Sequence, residues 1–362
     1  MRSYIGYIFV FSLAGFLFFS GCHDTSAPVA SETHDTVITV TADVETAPMS
    51  DPGDAADDPA IWVHPSDPGK SLLIATNKKR GLEVYGLDGT LWYKYNVGKI
   101  NNVDIRYGFP IGASAKDIVV GSNRTDNTLL VMTVDVGSGS LEMLSGLPVQ
   151  SLLQEVYGCC LYHDQATDLY YAFLSGKEGD IEQWQLTGTS EGSVQGTLVR
   201  QFAFGSQVEG LVADDASGWL YVGEEDRGVW RVQASPDSVP APILIDTVGG
   251  GHLVADVEGL ALVQESDGQT YLVVSSQGNN SFALYTVSGK PLYLGSFTVE
   301  EGETIDGVSE TDGIEVCAAP LGASFPDGIL VVQDGENTIG QAPENQNFKI
   351  IYWSRISGIY SR

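Results

Sequence analysis

Short apolar runs separated by turn residues make up most of the chain from Asp57 onward. In segments such as "GLEVYGLDGT" and "FALYTVSGK", apolar and β-branched residues alternate with Gly, Asp, Asn and Ser, and helical periodicity is almost absent. The 42 glycines are consistent with many tight turns between such strands. The pattern therefore predicts an all-β chain.

The predicted strands repeat with a period of about 50 residues. An acidic residue stands at an apolar run six times, and the intervals counted from Asp58 are 46, 51, 54, 49 and 54 residues. The acids are Asp57 with Asp58, Asp104, Glu155, Glu209, Glu258 and Asp312. A third strand in each repeat carries an aromatic residue or Met: Tyr85, Met132, Trp184, Trp230, Tyr285 and Tyr352. This period predicts a six-bladed β-propeller with mostly four-stranded antiparallel blades.

Acids in equivalent places would meet at one rim of the propeller's central channel, because the innermost strand of each blade lines it. Two carboxylates about 4 Å apart repel by roughly 4 kcal/mol at an effective dielectric of about 20. A bound cation would offset this repulsion, and oxygen ligands without a His or Cys cluster favour Ca²⁺ over Mg²⁺ or Mn²⁺. The pattern therefore predicts several calcium ions, although any one acid alone fits a turn or cap equally well.

Charge narrows the possible partners. Asp and Glu total 47 against 18 Lys and Arg, and the net charge of -29 argues against nucleic acid as a partner. A solvated acidic surface is the alternative to bound cations. Lys78, Arg124 and Lys177 end the second strand of successive repeats, and cations beside metal-holding acids suit a polyanion such as a phosphate ester. Surface ion pairing is the alternative for each of them.

The N-terminus is typical of an exported protein. A basic start followed by "YIGYIFVFSLAGFLFF" predicts a signal peptide over residues 1–21, and "FSGC" resembles a lipobox that would place a lipid on Cys22. An uncleaved anchor helix is the alternative. Residues 22–45 are predicted to form a flexible tether and residues 46–362 the propeller. His23 rather than Asp follows Cys22, which favours the outer membrane, and a monomer is expected.

An ordered series of motifs carries a family resemblance. From about Asp51 to Ile356, "DDPAIWV", "NNVDIRYGFP", "EVYG", "SGKEG", "GEEDRGVW", "SSQGNNS", "ETDGIEV" and "QDGEN" resemble the β-propeller phytases, which are alkaline, calcium-dependent bacterial 3-phytases. The resemblance implies release of phosphate from myo-inositol hexakisphosphate, or phytate, presented as its calcium complex. Phosphate scavenging would be the role.

The resemblance also implies roles for individual residues. Those implied to hold the active-site calcium ions are Asp57, Glu209, Glu225, Asp256, Glu258, Gln277 and Asp312. Those implied for calcium sites that stabilise the fold are Asp58, Asp306, Asp334, Glu336 and Asn337. Those implied to line paired phosphate pockets are Lys78, Arg124, Tyr157, Lys177 and Glu178, and Glu209 is expected to act with them in catalysis.

The implied chemistry is in-line attack on phosphorus by a metal-bridged water, without a covalent enzyme intermediate and best at neutral to alkaline pH. Two other functions stay open. A calcium-dependent propeller lactonase or esterase would use a similar channel but would not need three cations together. A noncatalytic, calcium-stabilised binding propeller would tolerate loss of the acids.

Overall fold

The computed structural model describes residues 37–144, 146, 148–340 and 342–359. The predicted signal peptide, Cys22 and the tether up to residue 36 lie outside these residues. Among the residues that are described, no helix is both long and apolar enough to cross a membrane.

The strands fall into six consecutive groups, here named blades 1 to 6. Two strands precede them: β1 (Val37–Thr41) and β2 (Val44–Glu45). Blade 1 contains β3 (Ala56–Trp62), β4 (Leu72–Asn77), β5 (Gly81–Gly86) and β6 (Leu91–Asn96). Blade 2 contains β7 (Ile100–Ile111), β8 (Ser114–Asn123), β9 (Thr128–Val134), β10 (Leu141–Met143) and β11 (Val149–Gln150). Blade 3 contains β12 (Val156–Asp164), β13 (Leu169–Gly176), β14 (Asp180–Gly188) and β15 (Val194–Ala203).

The second half of the chain repeats this arrangement. Blade 4 contains β16 (Val208–Asp214), β17 (Trp219–Glu224), β18 (Gly228–Gln233) and β19 (Ile243–Thr247). Blade 5 contains β20 (Val257–Gln264), β21 (Thr270–Ser276), β22 (Ser281–Thr286) and β23 (Tyr293–Glu300). Blade 6 contains β24 (Ile314–Cys317), β25 (Ile329–Asp334) and β28 (Asn347–Tyr352), with the small hairpin β26 (Thr338–Ile339) and β27 (Ala342–Pro343). Short 3₁₀ helices span Pro68–Lys70, Gln277–Asn279, Trp353–Arg355 and Ser357–Ile359.

The blades close into a ring around a central channel. In each blade successive strands pair in antiparallel order, and the innermost strands β3, β7, β12, β16, β20 and β24 each pack against the next. Strand β24 packs in turn against β3, so the ring is closed. The predicted six-bladed propeller is confirmed, and the predicted aromatic residues and Met132 do lie on the third strand from the channel in every blade.

The core lies between the blades rather than within any one of them. The residues that the structure describes form six clusters of buried apolar side chains, one at each interface between neighbouring blades. At the interface of blades 1 and 2, for example, Trp62 and Ile74 pack with Val103 and Met132. Because both faces of a blade are covered, its inner strands are almost continuously apolar.

The N-terminal strands correct one predicted boundary. Residues 37–45 were assigned to a flexible tether, but β1 pairs in parallel with β23 at the outer edge of blade 5, and β2 pairs with β28 as the outermost strand of blade 6. The prediction was wrong for these residues because "VITV", Val37 to Val40, is a short β-branched run that covers an open sheet edge. Cys159, Cys160 and Cys317 are free thiols here.

Candidate active site

A β-bulge near the start of the innermost strand in five of the six blades builds one mouth of the channel. In blades 1 to 5 the pairing between the first and second strands shifts by one residue, which leaves two residues outside the regular ladder. The first residue of each such pair is Asp57, Asn101, Tyr157, Glu209 or Glu258. Asp312 precedes β24 in the same place in blade 6.

Glycine follows the first bulge residue in four blades because the next blade is very close. A Cβ added to Gly158 would lie 2.0 Å from the carbonyl oxygen of Glu209, and one added to Gly210 would lie 2.0 Å from that of Glu258. Gly259 and Gly313 approach the carbonyl oxygens of Asp312 and Asp57 in the same way, at 2.6 Å. The glycines therefore let adjacent bulges touch and bring their side chains together.

The predicted equivalence of six acids is wrong for blades 2 and 3. Asp104 lies three residues beyond Asn101, deeper in the channel, where both of its oxygens accept hydrogen bonds from Arg106 Nη1 at 3.0 Å. Glu155 lies two residues before Tyr157 and points toward Arg124 and Lys177. The prediction compared the repeats by their acidic residues alone. In these two blades the first bulge residue is instead an amide, Asn101, or a phenol, Tyr157.

The remaining carboxylates of the mouth form a compact buried cluster. Single oxygens of Glu209, Glu225 and Glu258 all lie within 4.8 Å of one another, and Glu225 reaches them from the turn after β17. Asp57 is also buried. Among the described residues, one oxygen each of Asp57, Glu225 and Glu258 is buried without a hydrogen-bond partner. Such oxygens require a proton or a cation.

Burial and mutual repulsion perturb the pKa values of this cluster. Burial, with the charge of Asp312, raises the pKa of Glu209 to about 7. Burial, with the charges of Asp256 and Asp226, raises the pKa of Glu225 to about 7. The pKa of Glu258 is also raised well above its usual value, first by burial and then by Glu209 and Glu225. An oxygen-only ligand set of this charge is what Ca²⁺ prefers in proteins, so the residues fit the predicted ion.

Lys78 connects blade 1 to this cluster. Its Nζ lies 2.7 Å from Asp54 Oδ1, 3.3 Å from Asp57 Oδ2 and 2.9 Å from Asp312 Oδ2. Burial lowers the pKa of the ammonium, but the charges of Asp57 and Asp312 outweigh that effect and raise it above its usual value. Lys78 is therefore a permanent cation inside the acidic mouth. Asp54, in the loop before β3, was not predicted.

Arg124 and Lys177 form a second, positively charged part of the mouth around Tyr157. The guanidinium carbon of Arg124 lies 5.8 Å from the centroid of the Tyr157 ring, and Lys177 Nζ lies 5.0 Å from it. Arg124 Nη1 donates to Asn101 Oδ1 at 2.8 Å. Asn101 in turn donates to Glu209 Oε1 at 2.5 Å, so this amide joins the cations to the acidic cluster.

The other residues predicted for the mouth lie on the same face. Gln277, after β21, donates to Asp312 Oδ1 at 2.7 Å. Asp256 precedes β20 and lies close enough to Glu225 to raise its pKa. Glu178 is exposed on the turn after Lys177. The residues that the resemblance assigned to the active-site calcium ions and to the phosphate pockets therefore lie in or next to the mouth, although Glu178 is located only by its exposed position after Lys177.

The five residues predicted for stabilising calcium sites separate into two places. Asp306, Asp334 and Asn337 surround the wholly buried ammonium of Lys349, and Glu336 is exposed on the same turn. Asp334 Oδ2 has no hydrogen bond within the described residues, but it lies 3.4 Å from Lys349 Nζ, so the lysine already supplies a positive charge there. Asp58 lies elsewhere, in the channel, where its Oδ2 accepts a hydrogen bond from Val103 N at 2.9 Å.

Together the fold and the mouth define a six-bladed propeller with a carboxylate cluster suited to calcium beside a group of cations suited to an anionic ester. The family model described as "Phytase" matches residues 8–361. A 3-phytase of Bacillus subtilis (strain 168) is 45% identical over 348 residues, which cover 95% of this chain and 91% of the relative. The chain therefore belongs to the phytase family.

One solved structure with much lower sequence identity shares the fold alone, and a second is less similar. An auxiliary nutrient binding protein from Bacteroides thetaiotaomicron VPI-5482 is 9% identical, with a TM-score of 0.51 over 87% of this chain and 76% of that protein. A luciferin-regenerating enzyme is 10% identical, with a TM-score of 0.49 over 83% of this chain and 92% of that protein. Neither likeness bears on activity.

Proposed function

We propose that this phytase is a calcium-dependent 3-phytase, which releases phosphate from phytate at the channel mouth. One observation carries the proposal: buried carboxylates with unpaired oxygens, on Asp57, Glu225 and Glu258, lie beside a separate group of cations. The acids alone would suit a purely structural ion. The adjoining cations supply what a highly anionic substrate needs.

Asp57, Glu209, Glu225, Glu258 and Asp312 would hold the calcium ions, with Asp256 and Gln277 at the edge of the set. Bound calcium would offset the charge of phosphate oxygens and lower the pKa of a water molecule. The protein itself would bind and orient the ester.

Arg124 and Lys177 are placed to bind phosphate oxygens, and the Tyr157 ring beneath them fixes their direction. Lys78, on the neighbouring blade 1, would offset negative charge in the acidic part of the mouth, among Asp54, Asp57 and Asp312. Glu178, on the turn after Lys177, would orient Lys177 or a water molecule. No side chain in this set is required as a covalent nucleophile.

The first test is phosphate release from phytate near pH 8 by the chain that begins at Cys22, in calcium and in excess chelator. Release that needs calcium is expected, together with a calcium-dependent rise in melting temperature. Arg124→Gln should abolish most of the release and leave that rise intact, whereas Lys94→Gln, on the exposed outer strand of blade 1, should change neither. Full release in chelator would refute the calcium requirement.

The proposed location is the outer membrane, through a lipid on Cys22, with the propeller as a monomer. Support comes from the sequence pattern of residues 1–22 alone. Expression in a bacterial host should place the chain in the membrane fraction, and Cys22→Ser should remove it from that fraction. A Cys22→Ser chain that stays with the membrane would point to an uncleaved anchor helix instead.

A further inference from the structure

The carboxylate of Glu155 stands between the two cations that are placed to bind phosphate. Its Oε1 lies 3.1 Å from Arg124 Nη2, 3.2 Å from Arg124 Nε and 3.5 Å from Lys177 Nζ. A single oxygen shared by an arginine and a lysine is the arrangement that a phosphate oxygen would take there. The Glu155 side chain is 44% exposed, so it can turn toward solvent without a large packing loss.

Glu155 is not needed to hold these cations in place. Arg124 is fixed separately by its hydrogen bond to Asn101, and both cations rest over the ring of Tyr157. Exposed ion pairs also add little stability. The main effect of Glu155 is therefore electrostatic: it neutralises positive charge in the pocket and repels a second anion that arrives there.

We propose that Glu155 is an internal substitute for phosphate, which a phosphate group of the substrate must displace, and that its charge sets a weak affinity for phosphate in this pocket. The inference rests on the proposed role of Arg124 and Lys177. Its consequence is easier release of inorganic phosphate after each turnover, because the carboxylate returns to the cations as the product leaves.

Glu155→Gln removes the charge and keeps the shape. The dissociation constant of inorganic phosphate, measured by calorimetry in calcium and again in chelator, should fall about tenfold, which corresponds to about 1.4 kcal/mol. The KM for phytate should fall in parallel, and product inhibition by phosphate should become stronger. Glu155→Asp, which keeps the charge, should stay close to the parent.

Asp180→Asn is the matched control. Asp180 is an exposed acid on the strand that follows Lys177, and its side chain makes no hydrogen bond or ion pair with the described residues. The same loss of one negative charge at this position should change phosphate binding less than twofold. A tenfold effect there as well would mean that only net charge matters and would overturn the proposal.

Two further results would also overturn it. Weaker phosphate binding and a higher KM in Glu155→Gln would show that the carboxylate positions the cations. Unchanged binding would show that it does not compete with phosphate. Because calorimetry needs no turnover, these results are separate from a failure of the calcium requirement, which would appear as phosphate release in chelator by the unaltered chain.

Discussion

Lys349→Met would remove a buried positive charge that joins the two ends of the propeller. Lys349 lies on β28 with no exposed side-chain surface, and its Nζ donates to Glu45 Oε2 at 2.7 Å, to Asn337 Oδ1 at 3.1 Å and to Asp306. Burial lowers the pKa of this ammonium, but the hydrogen bonds to Asp306 and Glu45 outweigh that effect and raise the pKa above its usual value. The ammonium is therefore charged. Glu45 belongs to the N-terminal strand that completes blade 6.

The expected cost follows from the charges that are left behind. Removing one partner of a buried ion pair destabilises a protein by about 3–5 kcal/mol, because the other charge stays buried without a partner. Here the carboxylates of Glu45, Asp306 and Asp334 would all lose the ammonium. With an unfolding entropy of about 2.1 cal/mol/K per residue, the unit spanning Asp35–Arg362 should lose about 4–7 °C in melting temperature.

The assay is thermal unfolding near pH 8 in excess chelator, with Lys94→Met as the matched control. Lys94 is exposed on β6, and its loss should change the free energy of unfolding by less than about 0.5 kcal/mol. Calcium should restore more stability to Lys349→Met than to the parent, since three carboxylates become available to it. A loss below about 1 kcal/mol, or an equal loss in Lys94→Met, would refute the central role of this ammonium.

Three other perturbations test the mouth and the channel. Glu209→Gln should lower phosphate release by at least about 100-fold and yet raise the melting temperature in chelator, because it removes one of several buried like charges; a lower melting temperature would contradict this. Burial, with the charge of Asp104, raises the pKa of Glu315 in the channel from 4.5 to about 8, so the folded chain holds a proton that the unfolded chain releases. Stability in chelator should therefore fall as pH rises from about 5 to 8, and Glu315→Gln should flatten that curve in a melting series; an equally steep curve would exclude the effect. His252, whose Nδ1 lies 2.7 Å from Asp246 Oδ2, is on the loop that leads to Asp256. Changing His252 to Gln should raise the calcium concentration needed for half-maximal activity with little change in the maximal rate, and an unchanged calcium titration would exclude this positioning role.

The blades could be predicted from the sequence because each one buries both of its faces. The apolar runs, their period of about 50 residues and the large side chain on each third strand all follow from that packing, and Tyr85 and Tyr285 are each buried in an interface cluster. The pattern repeats along the chain because every blade packs between two similar neighbours. The closing strands β1 and β2 were missed, since a two-residue and a five-residue strand outside the repeat give almost no periodic signal.

The residue that each blade contributes to the mouth was predicted correctly in four blades and missed in two. A search for acids found Asp104 and Glu155, although Asn101 and Tyr157 hold the equivalent bulge positions. The glycine after the bulge residue was the usable signal, since "VYG" matches the two "VEG" segments once the chemical identity of the middle residue is set aside. In blades 1 and 2 this signal fails, because Asp58 and Asn102 stand where blades 3 to 6 have glycine.

The specific pairings at the site could not be predicted, because they join residues that are far apart in the chain. Lys78 and Asp312 are 234 residues apart, and Lys349 and Glu45 are 304 apart. The first pairing exists because the ring closes and brings blades 1 and 6 together, and the second exists because the N-terminal strand β2 adds to the outer edge of blade 6. No local periodicity or propensity carries that information, whereas the residue types alone were enough to predict that cations and acids share the site.

The two blades that break the series of acids explain how the mouth can hold both ions and an anion. Blades 1, 4, 5 and 6 contribute the carboxylates of Asp57, Glu209, Glu258 and Asp312, whereas the bulges of blades 2 and 3 contribute neutral side chains. On that neutral side lie the cations of the proposed phosphate pocket. Six acids in register would repel an anionic ester from every direction. Since a bulge side chain can change without altering strand pairing, this fold can divide one channel mouth into a cation-binding part and an anion-binding part.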